Sequence, residues 1–561
     1  MLPDLLNIKN TQSVFAVGVA ATALTVLMVF PLQLPGGSPQ KPGPDSATQY
    51  FNPIIFADYS DPDVIRVDND FYLVSSSFIN TPGIPVLHST DLIHWQIIGH
   101  AVENLPDTAY ELPQPGRGIW APSLRYHNGE YLIYYGDPDL GIFQVKSKNP
   151  AGPWEKPLLV KSAKGWIDPC PFWDDDGQAY LIHAWAKSRV GFNGILTLHK
   201  MSPDGTQILD EGVTVFDGNA NHPTIEGPKM YKRNGWCYIF APAGGVRNGW
   251  QTVLRSKNIY GRYEDKIVLE QGGTAVNGPH QGAWIEMADG KSWFVHFQDR
   301  DAYGRIVHLQ PLVWKDDWPQ IGVDLDGNGI GEPIASCRKP NVSNSKSDMI
   351  IQTSDDFTVD KLGLQWQWRA NHRPEWFTLT THPGYLRLFA INPAPVCSNL
   401  GDLPNILTQK FPAEGFALIT KIDFHPESEV DQAGLIVIGA DYAALKIVRQ
   451  NNEYWLIRAD CRSADQGSPE ILREKIKINK PELFLKVIVD RDAVCNFYYS
   501  QGGQKYIPIG NKFLAVKGKW VGAQVGLFAT TATGKSSAGY ADFDFFHVII
   551  AGQKAITGSH K

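Results

Sequence analysis

The chain lacks a basic cluster. Its 51 Lys and Arg are set against 58 Asp and Glu, for a net charge of −7, and the two signs are interspersed. Phosphate binding needs a basic footprint, so nucleic acid is excluded as a partner and a neutral ligand fits better. Charge of either sign is sparse, at 19% of residues. With 52 Gly and 39 Pro breaking the chain into short pieces, a helical bundle is excluded. Cysteine is also scarce. Cys170, Cys237, Cys337, Cys397, Cys461 and Cys495 show no CxxC spacing and no metal-ligand pattern. Cys170 and Cys237 sit in apolar strands and are read as buried free thiols. Spacing alone decides no pairing among the other four.

Charge is absent altogether between Lys9 and Lys41, and Val14–Phe30 ("VFAVGVAATALTVLMVF") is almost wholly apolar. The run is long for a signal-peptide core and close to the shortest spanning helix. No A-x-A cleavage pattern follows it, only the Pro/Gly-rich "PLQLPGGSPQKPGP". Residues 1–49 are therefore read as a signal-anchor in preference to a cleaved signal peptide, followed by a linker. Both readings put the globular part outside the cytoplasm, and the first anchors it to a membrane through residues 14–30.

What is present in abundance is aromatic residues and turns, in a chain too long for one ordinary domain. From residue 50 a unit returns five times. It reads "DPDVIRVDNDFYLV" from Asp61, "WAPSLRYHNGEYLIYY" from Trp120, "DPCPFWDDDGQAYLIHAW" from Asp168, "EGPKMYKRNGWCYIFAP" from Glu226 and "HQGAWIEMADGKSWFVHF" from His280. Each unit is a short apolar strand, a turn of Asn, Asp or Gly, and an alternating aromatic strand. Such turns tolerate positive φ and mark hairpins. The units start about 50–60 residues apart, enough for a four-stranded sheet with loops, and five of them predict a five-bladed β-propeller over 50–331. First strands line a propeller's channel, so Asp61, Trp120, Asp168, Glu226 and His280 are expected to hold one common place around one mouth. Asp63 falls outside that place and is expected to serve the turn or strand. Residues 332–349 read as a polar linker. Short alternating strands without the repeat then fill 350–550 and predict a two-sheet β-sandwich. Residues 551–561 form a polar tail.

A single Asp before Pro is usually a turn former. Three carboxylates gathered at one mouth repel one another, and their arrangement calls for a use. Glycosidic cleavage is such a use. One carboxylic acid protonates the leaving oxygen and a carboxylate opposite activates water, and a third carboxylate can raise the pKa of the proton donor. Trp120 offers an apolar face to a sugar ring. His280 can bond water, sugar or a carboxylate, or ligate an ion in the channel.

The motifs "SDPDVIRVDNDFYLVSSSF", "GIWAPSLRY", "WIDPCPFWDDDG", "IEGPKMYKRNGWCYIFAPAGG", "NGPHQGAW" and "AYGRIVHLQPLVW" resemble glycoside hydrolase family 43. The similarity is to its β-xylosidase/α-L-arabinofuranosidase type with a C-terminal, concanavalin-like β-sandwich. "DDFTVDKLGLQWQWRANHRPEWFTLTTHPGYLRL" is similar to the start of that sandwich. The resemblance implies an all-β fold and an exo-acting, inverting hydrolase. It releases terminal xylose or L-arabinofuranose from xylan-derived or other plant cell-wall oligosaccharides. It implies Asp61 as general base, Glu226 as general acid and Asp168 as the acid that orients the donor and raises its pKa. It further implies Arg305 as a ligand of sugar hydroxyls, Phe78 and Trp120 as subsite walls, and Trp520 as a pocket-rim residue from the sandwich. No organic cofactor is implied. His280 corresponds to a channel histidine beside which many relatives bind a cation, often calcium. Asp324–Gly329 begins like a calcium loop, but Ala335 stands where Glu is required at the twelfth position, so it reads as a turn-rich connector. The competing reading of the whole chain is a carbohydrate-binding propeller and sandwich without catalysis.

Overall fold

A computed structural model describes residues 48–343 and 345–550, and the apolar run at 14–30 and the 551–561 tail lie outside them. Five four-stranded antiparallel sheets follow one another, each in simple sequence order. Their first strands are Asp63–Val67, Trp120–His127, Trp166–Trp173, Lys229–Arg233 and His280–Glu286. The hairpin turns fall where the Asn and Gly residues foretold them. Asn128-Gly129 and Asn234-Gly235 all take positive φ, the backbone such turns require.

Burial explains why the sheets form a ring. Five separate apolar clusters each join two neighbouring blades. Ile133 and Val86 belong to the cluster joining the first two, and Leu181 and Ile142 to the next. Ile182 and Ile239 lie between the third and fourth blades, and Phe240 and Phe294 between the fourth and fifth. The last cluster closes the ring, placing Leu73 and Leu87 of the first blade with Val295 and Leu309 of the fifth. Each fully buried side chain of this size contributes about 1.5–3 kcal/mol, so a blade is stable only between two others. Chain ends reinforce the closure. Gln49–Phe51 pairs with Ser336–Arg338, and Ile55 bridges to Val307 in the fifth blade.

Residues 332–349 connect the two domains, with their first part pinned to the propeller. Glu332 accepts the Gly273 amide at 2.8 Å, and Ala335 accepts that of Asn52 at 2.8 Å. Asp324 and Asp326 accept the amides of Gly327, Asn328 and Gly329, so that segment is a turn held by its own side chains. All six cysteines are free thiols, with Cys170 and Cys237 buried.

Beyond residue 350, antiparallel sheets of seven and eight strands pack face to face around Leu418, Leu435, Leu445, Leu485, Leu527 and Phe543. This sandwich is docked on the propeller. Thr81 and Trp368 exchange backbone hydrogen bonds at 2.6 and 3.0 Å. The Tyr303 hydroxyl lies 2.7 Å from both the Glu414 and Asp490 carbonyl oxygens, with one O–H to share between them, and accepts the Ala493 amide.

Candidate active site

Five residues in left-handed backbone ring the channel mouth: Asp61 (φ 54°), Ala121 (φ 35°), Asp168 (φ 56°), Gly227 (φ 57°) and Gln281 (φ 39°). Proline follows the first four and Gly282 the fifth. This geometry corrects the expected register. Asp61 and Asp168 do hold a common place, but Trp120, Glu226 and His280 each stand one residue ahead of it. Left-handed backbone is costly for L-residues, and a short polar side chain such as Asp tolerates it better than Glu or Trp. In the fourth blade glycine takes that conformation, and Glu226 extends from the residue before.

The three acids nevertheless converge. Asp61 is buried, its Oδ1 accepting from Arg305 Nη1 at 2.8 Å and its Oδ2 from Ser76 Oγ at 2.6 Å. Ser76 Oγ in turn accepts the Ala121 amide at 2.7 Å, tying the first blade to the second. Asp168 is buried and accepts the Gly227 amide at 2.7 Å. Burial, followed by the charges of Glu226 and Asp61, pushes its pKa well above the ordinary carboxylate value. The side chain of Glu226 is the most open of the three, 28% exposed against 5% for Asp61. Its Oε1 lies 2.9 Å from Nε2 of the fully buried His280.

Aromatic rings wall the mouth. Phe78 is held by reciprocal 3.0 Å backbone bonds with Ile119, and its ring centroid is 6.3 Å from that of Trp120. A Cβ on Gly118 would stand 2.3 Å from the Phe78 carbonyl oxygen, so only glycine allows this approach. Trp520 arrives from the sandwich, 6.1 Å from Trp120 and 5.8 Å from the Arg305 guanidinium. Arg305 also lies over Phe297 at 4.8 Å. Arg189, unremarked in the sequence, covers Trp120 at 5.5 Å and pairs with Asp139 at 3.1 Å. Ser76 was equally unremarked, although the serine run ahead of Phe78 was its signal.

Asp63 does more than serve a turn. Two residues on from the left-handed ring, Asp63, Ser123, Cys170 and Lys229 form a second, buried layer. Asp63 Oδ2 accepts from the Leu124 amide and from Arg125 at 2.9 Å. Lys229 Nζ donates to Ser123 Oγ at 2.6 Å and lies 3.9 Å from Asp63. Arg125 also donates to Cys170 Sγ at 2.8 Å. An ammonium and a guanidinium supply positive charge beneath the mouth, and of the two ring nitrogens of His280, Nε2 lies against Glu226 while Nδ1 is buried without a partner. Among the described residues no group of three or more His, Cys, Asp or Glu side chains stands close enough to share one metal ion.

Residues 50–319 match glycosyl hydrolases family 43, and residues 354–549 match the β-xylosidase C-terminal concanavalin A-like domain. The chain belongs to glycosyl hydrolase family 43. It is 43% identical over 474 residues to a Xylanibacter ruminicola protein provisionally named a β-xylosidase, covering 84% of this chain and 85% of the other. It is 32% identical over 413 residues to the non-reducing end α-L-arabinofuranosidase BoGH43B of Bacteroides ovatus, covering 70% and 74%. The crystal structure of the GH43 protein BlXynB from Bacillus licheniformis superposes with a TM-score of 0.77 at 28% identity, covering 89% and 99%. This chain is therefore a glycosidase with a propeller and a sandwich in the family's order.

Proposed function

We propose that this exo-acting glycoside hydrolase removes terminal pentoses, β-xylose or α-L-arabinofuranose, from xylan-derived oligosaccharides with inversion. The observation that carries the proposal is three carboxylates from three blades at one aromatic-walled mouth, with Asp61 held between Arg305 and Ser76. Asp61 and Glu226 come from the first and fourth blades, which are not neighbours in the ring of five. Asp61 acts as general base. It takes a proton from water as the water oxygen attacks the anomeric carbon. Glu226, the more open acid, gives its proton to the departing glycosidic oxygen as the C–O bond breaks. Asp168 orients the fourth-blade turn through Gly227 and keeps a further negative charge or proton beside the donor. Arg305 binds sugar hydroxyls while orienting Asp61. Phe78 and Trp120 face the ring, and the Trp120 indole N–H, buried without a partner, is a donor for a hydroxyl.

The test is turnover of nitrophenyl β-xyloside and nitrophenyl α-L-arabinofuranoside, with the product anomer followed by NMR. An α-xylose or β-arabinofuranose product supports inversion, and a retained anomer overturns it. Sugar binding without turnover of either substrate would instead favour the non-catalytic reading. Residues 14–30 are proposed to hold the enzyme on a membrane with its mouth outside the cytoplasm. Fractionation of the full chain against one lacking residues 1–47 checks this.

A further inference from the structure

Asp58 lies three residues ahead of Asp61 and takes no part in the chemistry above. It is buried, 6% exposed. Its Oδ1 accepts the Arg305 amide at 2.8 Å and the Ser60 hydroxyl at 3.0 Å. Its Oδ2 accepts the Gly522 amide at 2.9 Å, from a residue 464 positions away in the sandwich. One carboxylate thus binds two backbones. The first carries the guanidinium that orients Asp61, and the second stands two residues beyond Trp520.

The packing around this carboxylate is specific to it. A Cβ on Gly522 would stand 2.7 Å from the Gly304 nitrogen, and one on Gly304 (φ +73°) would stand 2.4 Å from Asp58 Cγ. The two glycines let the domains touch backbone to backbone. Next to them the Ala523 amide donates to the Ala302 carbonyl at 2.7 Å. Across the interface lies Lys410. Burial lowers its pKa, and the Asp58 charge partly offsets that. At the near end of the same loop Lys517 pairs with Asp299 at 2.9 Å. Trp520, between these two anchors, has φ +68° and leans toward Trp120 and Arg305.

We propose that Asp58 is a positioning residue that latches the Trp520 loop of the sandwich onto the propeller mouth, so that sugar affinity depends on domain docking. The inference rests on reading that mouth as the pentose site. The Arg305 and Gly522 amides share this one carboxylate as their acceptor. Asparagine keeps the shape but turns one oxygen into a donor facing a donor.

The experiment compares full-chain wild type, Asp58→Asn, Trp520→Ala and the double variant on nitrophenyl β-xyloside and α-L-arabinofuranoside. Thermal melting checks that each is folded. Asp58→Asn is expected to raise KM about tenfold, the effect of one lost charged hydrogen bond, with kcat within about threefold. The double variant is expected to match Trp520→Ala, because Asp58 acts through that side chain. Gly522→Ala, which pushes the loop away from the Asp58 carboxylate while leaving Asp58 itself unsubstituted, is expected to raise KM in the same way. An unchanged KM in Asp58→Asn, a loss confined to kcat, or effects that multiply in the double variant would overturn the latch. If the wild type turns over neither substrate, the hydrolase reading fails, and calorimetric titration with xylose and arabinose reads the same comparison as Kd. A wild type that binds neither sugar overturns both.

Discussion

Asp168 reaches from the third blade to accept the Gly227 amide at 2.7 Å, so the most deeply held acid grips the residue next to Glu226. Its raised pKa has a consequence for stability. A folded Asp168 keeps its proton above the pH at which an unfolded one loses it. Between the ordinary carboxylate pKa and the raised folded value the unfolded chain has already released its proton, so stability falls as pH rises through that window. Asp168→Asn removes this titration while retaining an acceptor for Gly227. The variant is expected to melt higher than wild type at pH 7, by on the order of 1–2 °C, with the gap closing near pH 4. Its kcat/KM is expected to fall by on the order of 10²-fold. Calorimetric melting across pH, beside kinetics, checks both.

The two acids that meet substrate are separable by leaving group. A nitrophenolate departs with little help, whereas a sugar alkoxide must be protonated. Glu226→Gln is therefore expected to lose about 10²–10⁴-fold in kcat/KM on xylobiose and far less on nitrophenyl xyloside. Asp61→Ala, which removes water activation, is expected to lose similarly on both. Equal losses for Glu226→Gln on the two substrates would show that it is not the acid.

Beneath the mouth, Lys229 sits in a buried layer with Asp63, Ser123 and Arg125. Removing one member of a buried charged set leaves the others uncompensated, at a typical cost of about 3–5 kcal/mol. Lys229→Met should lower the urea midpoint accordingly. A variant as stable as wild type would mean that Arg125 alone neutralises Asp63.

Much of this was legible in the sequence, for a physical reason. Hairpin turns need Asn, Asp or Gly locally, and blades need apolar strands on both faces, so the repeat carries the propeller openly. What stayed hidden depends on distance or burial. Asp58 finds Gly522 only after two domains have docked. Asp63 looked like a turn residue because Arg125 and Lys229 come from other blades. The motif marks Asp168 as an acid beside the donor but not how deeply it is buried, because no local motif reports burial.

The one-residue shift of Trp120, Glu226 and His280 makes its own prediction. If left-handed backbone fixes the ring, glycine is required at 227 and merely replaced by Ala at 121. At Gly227 (φ +57°) a Cβ would stand 2.8 Å from both Cγ and Cδ of Gln281, in addition to the backbone cost. Gly227→Ala is expected to cost about 1–2 kcal/mol and to displace the adjoining Glu226, so activity falls with stability. Ala121→Gly removes the same backbone penalty but adds freedom to the unfolded chain, and the two effects nearly cancel at about 1 kcal/mol each. That variant should melt within a few degrees of wild type and keep its kcat, because the Ala121 amide still donates to Ser76. Parallel unfolding curves and kinetics on one aryl substrate check the pair. If both variants behave alike, the ring is set by something other than its left-handed residues.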